Sequence, residues 1–159
     1  MINISFRQPD SYTDIRRLRD FLSAQNLGYP VYDDWVYRAT EEIDQGYKQA
    51  VLAIDDGKLV GDVIFQPHKE IRGIREIKNL RVDTGSRFRK FGSFLLRQAE
   101  FFRHEEYDWL MGDFRQDQKD MARLMTDEGY SACQVRCLYD DQMDVVAIKQ
   151  NQFKKKEAR

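Results

Sequence analysis

The strongest constraint on this chain is a single stretch, EIKNLRV from Glu76 to Val82, followed by a short basic loop and then by Gly92, Ser93, Phe94, Leu95 and Leu96. The first part reads as a strand. The loop runs from Asp83 to Lys90. Beyond Gly92, Phe94, Leu95, Ala99 and Phe102 fall on one helical stripe, with Arg97, Gln98 and Glu100 off it. A helix start offers backbone N–H groups that its own carbonyls cannot reach, together with a partial positive charge, so a strand leading into a helix is a place where phosphate oxygens bind. Gly92 permits close approach of the backbone, and Arg87, Arg89 and Lys90 add positive charge.

Charge is concentrated in the same region. From His68 to Lys90 there are eight Lys or Arg residues against three acids, in a chain whose formal net charge is -1. A local field of this sign suits an anionic ligand.

The rest of the chain supplies the elements around that step. Ile2, Ile4 and Phe6 alternate with polar residues as a first strand before Pro9. Ser11 and Asp14 have capping-box spacing ahead of Ile15, Leu18, Phe21 and Leu22, which form a helix ending before Gly28, Tyr29 and Pro30. A second helix begins near Asp33 or Asp34 and stops at Gly46. Two runs, Ala50 to Ile54 and Leu59 to Phe65, flank the turn pair Asp56 and Gly57 and form a hairpin. Trp109, Leu110 and Met111 read as a short buried strand, and Met121 to Met125 mark a helix ending at Gly129. Strands at Cys133 to Tyr139 and Met143 to Ile148 follow. The predicted order is β-α-α-β-β-β-α-β-α-β-β, which calls for a mixed sheet covered by helices on both faces and excludes a solenoid.

At 159 residues with 42% apolar content, one core suffices. We expect a single domain over 1–150 and a charged, lysine-rich tail over 151–159 with little to bury. No apolar run approaches a membrane span and the N-terminus lacks a signal-peptide layout, so a cytoplasmic protein with no membrane association is expected. Cys133 and Cys137, four apart on a strand, are separated by roughly 13 Å, too far for a disulfide. Two histidines without clustered cysteines predict no metal.

Leu80-Arg81-Val82 followed by Arg87-Phe88-Arg89-Lys90-Phe91-Gly92 resembles the GNAT acyltransferase family, whose phosphate loop reads Gln/Arg-x-x-Gly-x-Gly/Ala after a Leu-x-Val strand end. Lys90 stands where the family usually has its first glycine, and we expect the loop there to stay at φ < 0. The element order resembles that of the whole family, which implies an α/β GNAT fold with a central mixed sheet of about seven strands. The resemblance also implies acetyl-CoA as co-substrate, held by the backbone of Leu80, Arg81 and Val82 along the pantetheine and by Arg87, Phe88, Arg89, Lys90, Phe91, Gly92 and Ser93 at the pyrophosphate. Leu124 to Tyr130 resembles the family's late-helix ending and places Gln118 where an Asn often contacts the cofactor.

For chemistry, the resemblance puts Glu76 where some members carry a catalytic base. The family's frequent tyrosine acid falls on Met125, which has no proton to give, leaving Tyr130 as the substitute or direct departure of the thiolate into water. The implied activity is N-acetylation of an amine, on a small molecule or a protein. Tyr29, Tyr32, Asp33, Asp34 and Trp35 fall where members bind the acceptor and would suit a cation, although Asp33 or Asp34 equally serves as a helix N-cap. Arg72, Arg75 and Lys78 suggest the opposite, an anionic acceptor such as an RNA, a tRNA included, or a phosphorylated metabolite, without an aromatic-and-basic motif to support nucleic-acid binding. A homodimer is compatible with these features. The alternative is a non-catalytic acyl-CoA-binding sensor or interaction module on the same fold.

Overall fold

The computed structural model describes residues 3–87 and 90–157, so Ile2, Phe88 and Arg89 lie outside the described residues. In chain order the elements are β1 (Ile4–Arg7), α1 (Tyr12–Ser23), α2 (Tyr32–Asp44), β2 (Gln49–Asp55), β3 (Lys58–Pro67), β4 (Ile74–Val82), α3 (Phe91–Phe101), β5 (Trp109–Arg115), α4 (Lys119–Asp127), β6 (Ser131–Cys137), β7 (Met143–Gln150) and α5 (Gln152–Glu157). Seven strands form one sheet in the order β1-β2-β3-β4-β5-β7-β6. The β4/β5 pair is parallel, whereas β1/β2, β2/β3, β5/β7 and β6/β7 are antiparallel. This is the mixed α/β sheet flanked by helices that the element order predicted.

Local signals explain several boundaries. The Ser11 hydroxyl accepts the Asp14 N–H at 3.3 Å and caps α1. Asp56 and Gly57 both take left-handed dihedrals, φ 50° and 80°, as a tight hairpin with a right-handed strand twist requires. The start of α2 differs from expectation. Neither Asp33 nor Asp34 is the N-cap; Val31 is, at φ 49° and with no side-chain cap bond, and the two acids lie exposed in the first turn. They serve α2 by their charge near its positive end.

Two compact units make up the chain. The first comprises the chain up to Phe65 together with Asn79–Ala99. Its core packs Leu18 and Leu22 of α1 and Tyr32 and Val36 of α2 against Ala50, Leu52 and Ile64 of the β2–β3 hairpin. The Tyr32 hydroxyl ties α2 to the end of α1 by donating to the Leu22 carbonyl at 2.8 Å. On the other face of β3, a Cβ at Gly61 would lie 2.9 Å from the Arg81 carbonyl oxygen and 3.2 Å from Leu95 Cδ1 of α3. Within this unit β3 therefore has helices on both sides, and only glycine lets β3, β4 and α3 approach so closely.

The second unit comprises Gln66–Lys78 and the chain from Glu100 onward. Here α4 covers β5, with Met125 Cε 3.3 Å from where a Cβ at Gly112 would be. Three sequence readings are corrected in this unit. Glu100, assigned to a polar helix face, is 4% exposed; Lys149 bonds both its carboxylate oxygens at 2.9 Å, and the Tyr130 hydroxyl donates to it at 3.2 Å. Trp109 is 40% exposed at the first position of β5, so the buried part of that strand begins at Leu110. The segment expected as a tail holds α5, and Asn151 ahead of it is buried, donating to the carbonyls of His104 and Tyr107 at 2.7 and 2.9 Å. Both cysteines are free and exposed on β6.

The close approach at Gly61 makes a direct test of the first unit. Gly61→Ala should destabilise the fold by about 1–3 kcal/mol, because the obstructing atom is backbone and cannot swing away. Denaturant unfolding measures it, and a change under about 0.5 kcal/mol would mean the three elements are looser than described.

Candidate functional site

The step from β4 into α3 is held from several sides. The Asp83 N–H donates to the Val60 carbonyl at 2.7 Å and the Ser86 N–H to the Asp83 carbonyl at 2.9 Å, so the chain leaves β4 through a 3-10 turn at Thr84–Ser86. Phe91, 3% exposed at the start of α3, packs edge-on against Phe6 with ring centroids 5.9 Å apart. Phe94 sits 47% exposed rather than in the apolar stripe expected of it, but its ring lies 5.5 Å from that of Phe6. The first turn of α3 is thereby fixed to β1, leaving Arg87 and Lys90 exposed beside it.

Lys90 corrects the expectation for the loop. Its φ is +61°, in the left-handed region, and its carbonyl accepts the Phe94 N–H at 3.1 Å. The backbone makes the turn for which glycine is suited, with a lysine in place. That geometry brings the N–H groups of Gly92 and Ser93 into the first turn of a helix, where the helix's own carbonyls do not reach.

The residues of β4 carry further polar contacts. Register with β5 covers Ile74–Ile77 against Trp109–Gly112, and Leu80, Arg81 and Val82 lie beyond it on β4. Asn79, 6% exposed, donates its side-chain amide to Asp62 Oδ2 at 2.7 Å. Arg81 Nη1 donates to the Leu80 carbonyl at 3.1 Å. Asp62, absent from every sequence-based assignment, is fully buried on β3, and desolvation pushes its carboxyl up to about 7 against the opposing pull of the Asn79 bond and the Arg81 charge. Because the folded state holds its proton more tightly than the unfolded chain, Asp62 costs stability progressively as pH rises from about 4 to about 7. The signal that could have found it is a lone acid inside the apolar run Leu59 to Phe65.

The acceptor candidates Tyr29, Tyr32, Asp33, Asp34 and Trp35 lie in the first unit, and a further group belongs to the second. Glu76 accepts from Lys78 Nζ at 2.8 Å and from the Gln66 amide at 3.1 Å, with its side chain 14% exposed. Asp113 on β5 accepts the Tyr139 hydroxyl at 2.8 Å, and burial raises its carboxyl. Tyr130 is 4% exposed with its hydroxyl committed to Glu100; burial, then the Glu100 charge, push its phenol well above the usual range. Gln118 is the N-cap of α4 by its carbonyl, which accepts the Ala122 N–H at 3.0 Å, and makes no side-chain cap bond. Of the cations read as an anionic acceptor surface, Arg75 turns inward: it is 6% exposed, bonds the Phe102 carbonyl and stacks over the Tyr107 ring at 4.1 Å. Among the described residues no group of three or more His, Cys, Asp or Glu is placed to hold a metal ion, and no helix is long and apolar enough to cross a membrane.

A lysine at φ +61° predicts a measurable strain. Left-handed backbone costs roughly 1–2 kcal/mol at a residue with a Cβ, and glycine's extra freedom when unfolded returns about 0.5–1 of it. Lys90→Gly should therefore stabilise the chain by about 0.5–1 kcal/mol in denaturant unfolding. A loss of stability would place the loop in a different conformation.

No family model matches the chain, and no curated protein matches it in sequence. Solved structures do match in fold. A protein assigned to the GNAT acetyltransferase family from Desulfovibrio desulfuricans superposes with a TM-score of 0.81 at 15% identity, over 93% of this chain and 99% of that one. The Arabidopsis thaliana NAA60 structure, in complex with a bisubstrate analogue, gives 0.75 at 16% identity over 93% and 98%. An aminoglycoside 6'-N-acetyltransferase complexed with coenzyme A gives 0.74 at 19% identity over 93% and 96%. The strand order, the turn into α3 and these similarities converge: this chain has the GNAT N-acetyltransferase fold.

Proposed function

We propose that this chain is an acetyl-CoA-dependent N-acetyltransferase acting on an amine. The observation that carries the reading is the left-handed turn at Lys90, which opens α3 with Arg87 exposed beside it. The first-turn N–H groups of Gly92 and Ser93 receive the pyrophosphate oxygens, the helix charge and the cations Arg87 and Lys90 assist, and the backbone of Leu80–Val82 lines the pantetheine. A fold shared with an aminoglycoside 6'-N-acetyltransferase complexed with coenzyme A supports a CoA-type ligand.

In this reading Glu76 takes a proton from the ammonium of the acceptor. The neutral amine attacks the thioester carbon, whose oxygen is polarised by β4 backbone donors, and the C–S bond breaks with its electron pair on sulfur. The second nitrogen proton reaches the thiolate through water. No protein acid is required, because a thiol with a pKa of about 8.5 is already a fair leaving group. Tyr130 has no part in this scheme, since its hydroxyl serves Glu100.

Burial of Met125, 4% exposed where the family places a tyrosine, favours a second reading: an acyl-CoA-binding sensor or interaction module without turnover. A chain that binds acetyl-CoA but releases no CoA with any of a broad panel of amines would select it.

Isothermal titration with acetyl-CoA should give saturable binding, weakened about tenfold or more by Arg87→Ala through loss of one charge-assisted phosphate contact. Absence of binding at millimolar acetyl-CoA would remove both readings.

A further inference from the structure

Asp62 is held in an unusual environment. None of its surface is exposed, Oδ2 takes the Asn79 amide at 2.7 Å, and Oδ1 has no hydrogen-bond partner among the described residues. Arg81 Nε, also buried, likewise has no hydrogen-bond partner among the described residues. A buried carboxylate with one unsatisfied oxygen is costly, and a chain that keeps one is paying for something other than stability. Its position indicates what: Asn79 and Arg81 bracket Leu80 on β4, the backbone read above as the pantetheine rail.

The groups facing Asp62 are few. From β4 come Asn79 and the Arg81 charge; from α2 comes the Tyr32 phenol, which burial keeps neutral through the neutral pH range; across β2 the paired residue is the apolar Leu52. Among the described residues, Arg81 alone opposes the carboxylate charge. An anionic ligand drawn onto the β4 backbone removes water from this region, adds negative charge and competes for Arg81, and each of these effects disfavours the ionised carboxylate.

We propose that Asp62 is a proton-uptake site coupled to acyl-CoA binding: as the ligand seats on Leu80–Val82, the Asp62 carboxylate takes one proton from solvent, and Arg81 is released to face the ligand. This inference rests on the cofactor reading above. No bond to the ligand is made or broken at Asp62; the carboxylate becomes a carboxyl on loading and returns its proton on release. With burial having already brought the group to about 7, a modest change in its surroundings shifts its charge at neutral pH. Coupling is reciprocal, so acyl-CoA must bind more tightly as pH falls through this range.

Titrating acetyl-CoA into the intact chain and into Asp62→Asn tests the proposal. For a one-unit upward shift, the native chain should bind roughly fivefold more tightly at about pH 6.5 than at about pH 8.5, relative to the variant. Asp62→Asn, neutral throughout and still able to accept from Asn79, should bind several-fold more tightly than the native chain at about pH 8.5. Titration of the cofactor's own 3'-phosphate affects both proteins alike, so the difference isolates Asp62. Equal pH dependence in the two proteins, or weaker binding by the variant at high pH, would overturn the inference and leave the cofactor reading standing. Failure of both to bind would remove the cofactor reading and the inference with it. Carbon-13 NMR of the native chain is independent of the variant's folding: the Asp62 carboxyl midpoint should rise on adding acetyl-CoA, and an unmoved midpoint with ligand bound would overturn the inference.

Discussion

At the end of β4 the chain is held by backbone rather than by side chains. The Asp83 N–H reaches the Val60 carbonyl at 2.7 Å, and one residue further along β3, Gly61 admits the Arg81 carbonyl to a distance no Cβ would tolerate. From that anchor the chain must turn sharply to enter α3, and it does so at Lys90 with φ +61°. Phe91 then fixes the helix start against Phe6. Everything proposed about ligand binding depends on this corner, because a helix start can bind phosphate only if its N–H groups are held in place before the ligand arrives.

The same corner explains why a glycine-poor loop is compatible with the fold. Two positions that call for glycine, residues 61 and 90, differ in what they require. At Gly61 the requirement is space, and a larger residue meets backbone. At Lys90 the requirement is a dihedral angle, which a lysine meets at a modest energetic cost while contributing a cation near the expected phosphates. The cost is local strain, of the kind that collects at functional sites.

Much of the fold was legible in the sequence. The Ser11–Asp14 cap, the Asp56–Gly57 hairpin and the stepwise change of period between Glu76 and Leu96 each depend on neighbours in sequence, and each was realised. The candidate site was only partly legible. Arg87, Gly92 and Leu80–Val82 are local features, whereas the burial of Glu100 depends on Tyr130 and Lys149, which are distant in sequence. Asp62 was missed because its partners, Asn79 and Arg81, lie on another strand, and a short apolar run does not reveal that its one acid faces inward. Val31 and Lys90 were missed for a different reason: neither residue type signals a left-handed dihedral, which the surrounding packing imposes.

The central claim is that the start of α3 receives a pyrophosphate while β4 lines the arm that carries the acyl group. A crystal structure of the chain grown with acetyl-CoA tests it most directly. The account predicts pyrophosphate oxygens within about 3 Å of the Gly92 and Ser93 N–H groups, with the pantetheine along Leu80–Val82. A cofactor bound elsewhere, with the first turn of α3 left open to solvent, would contradict it.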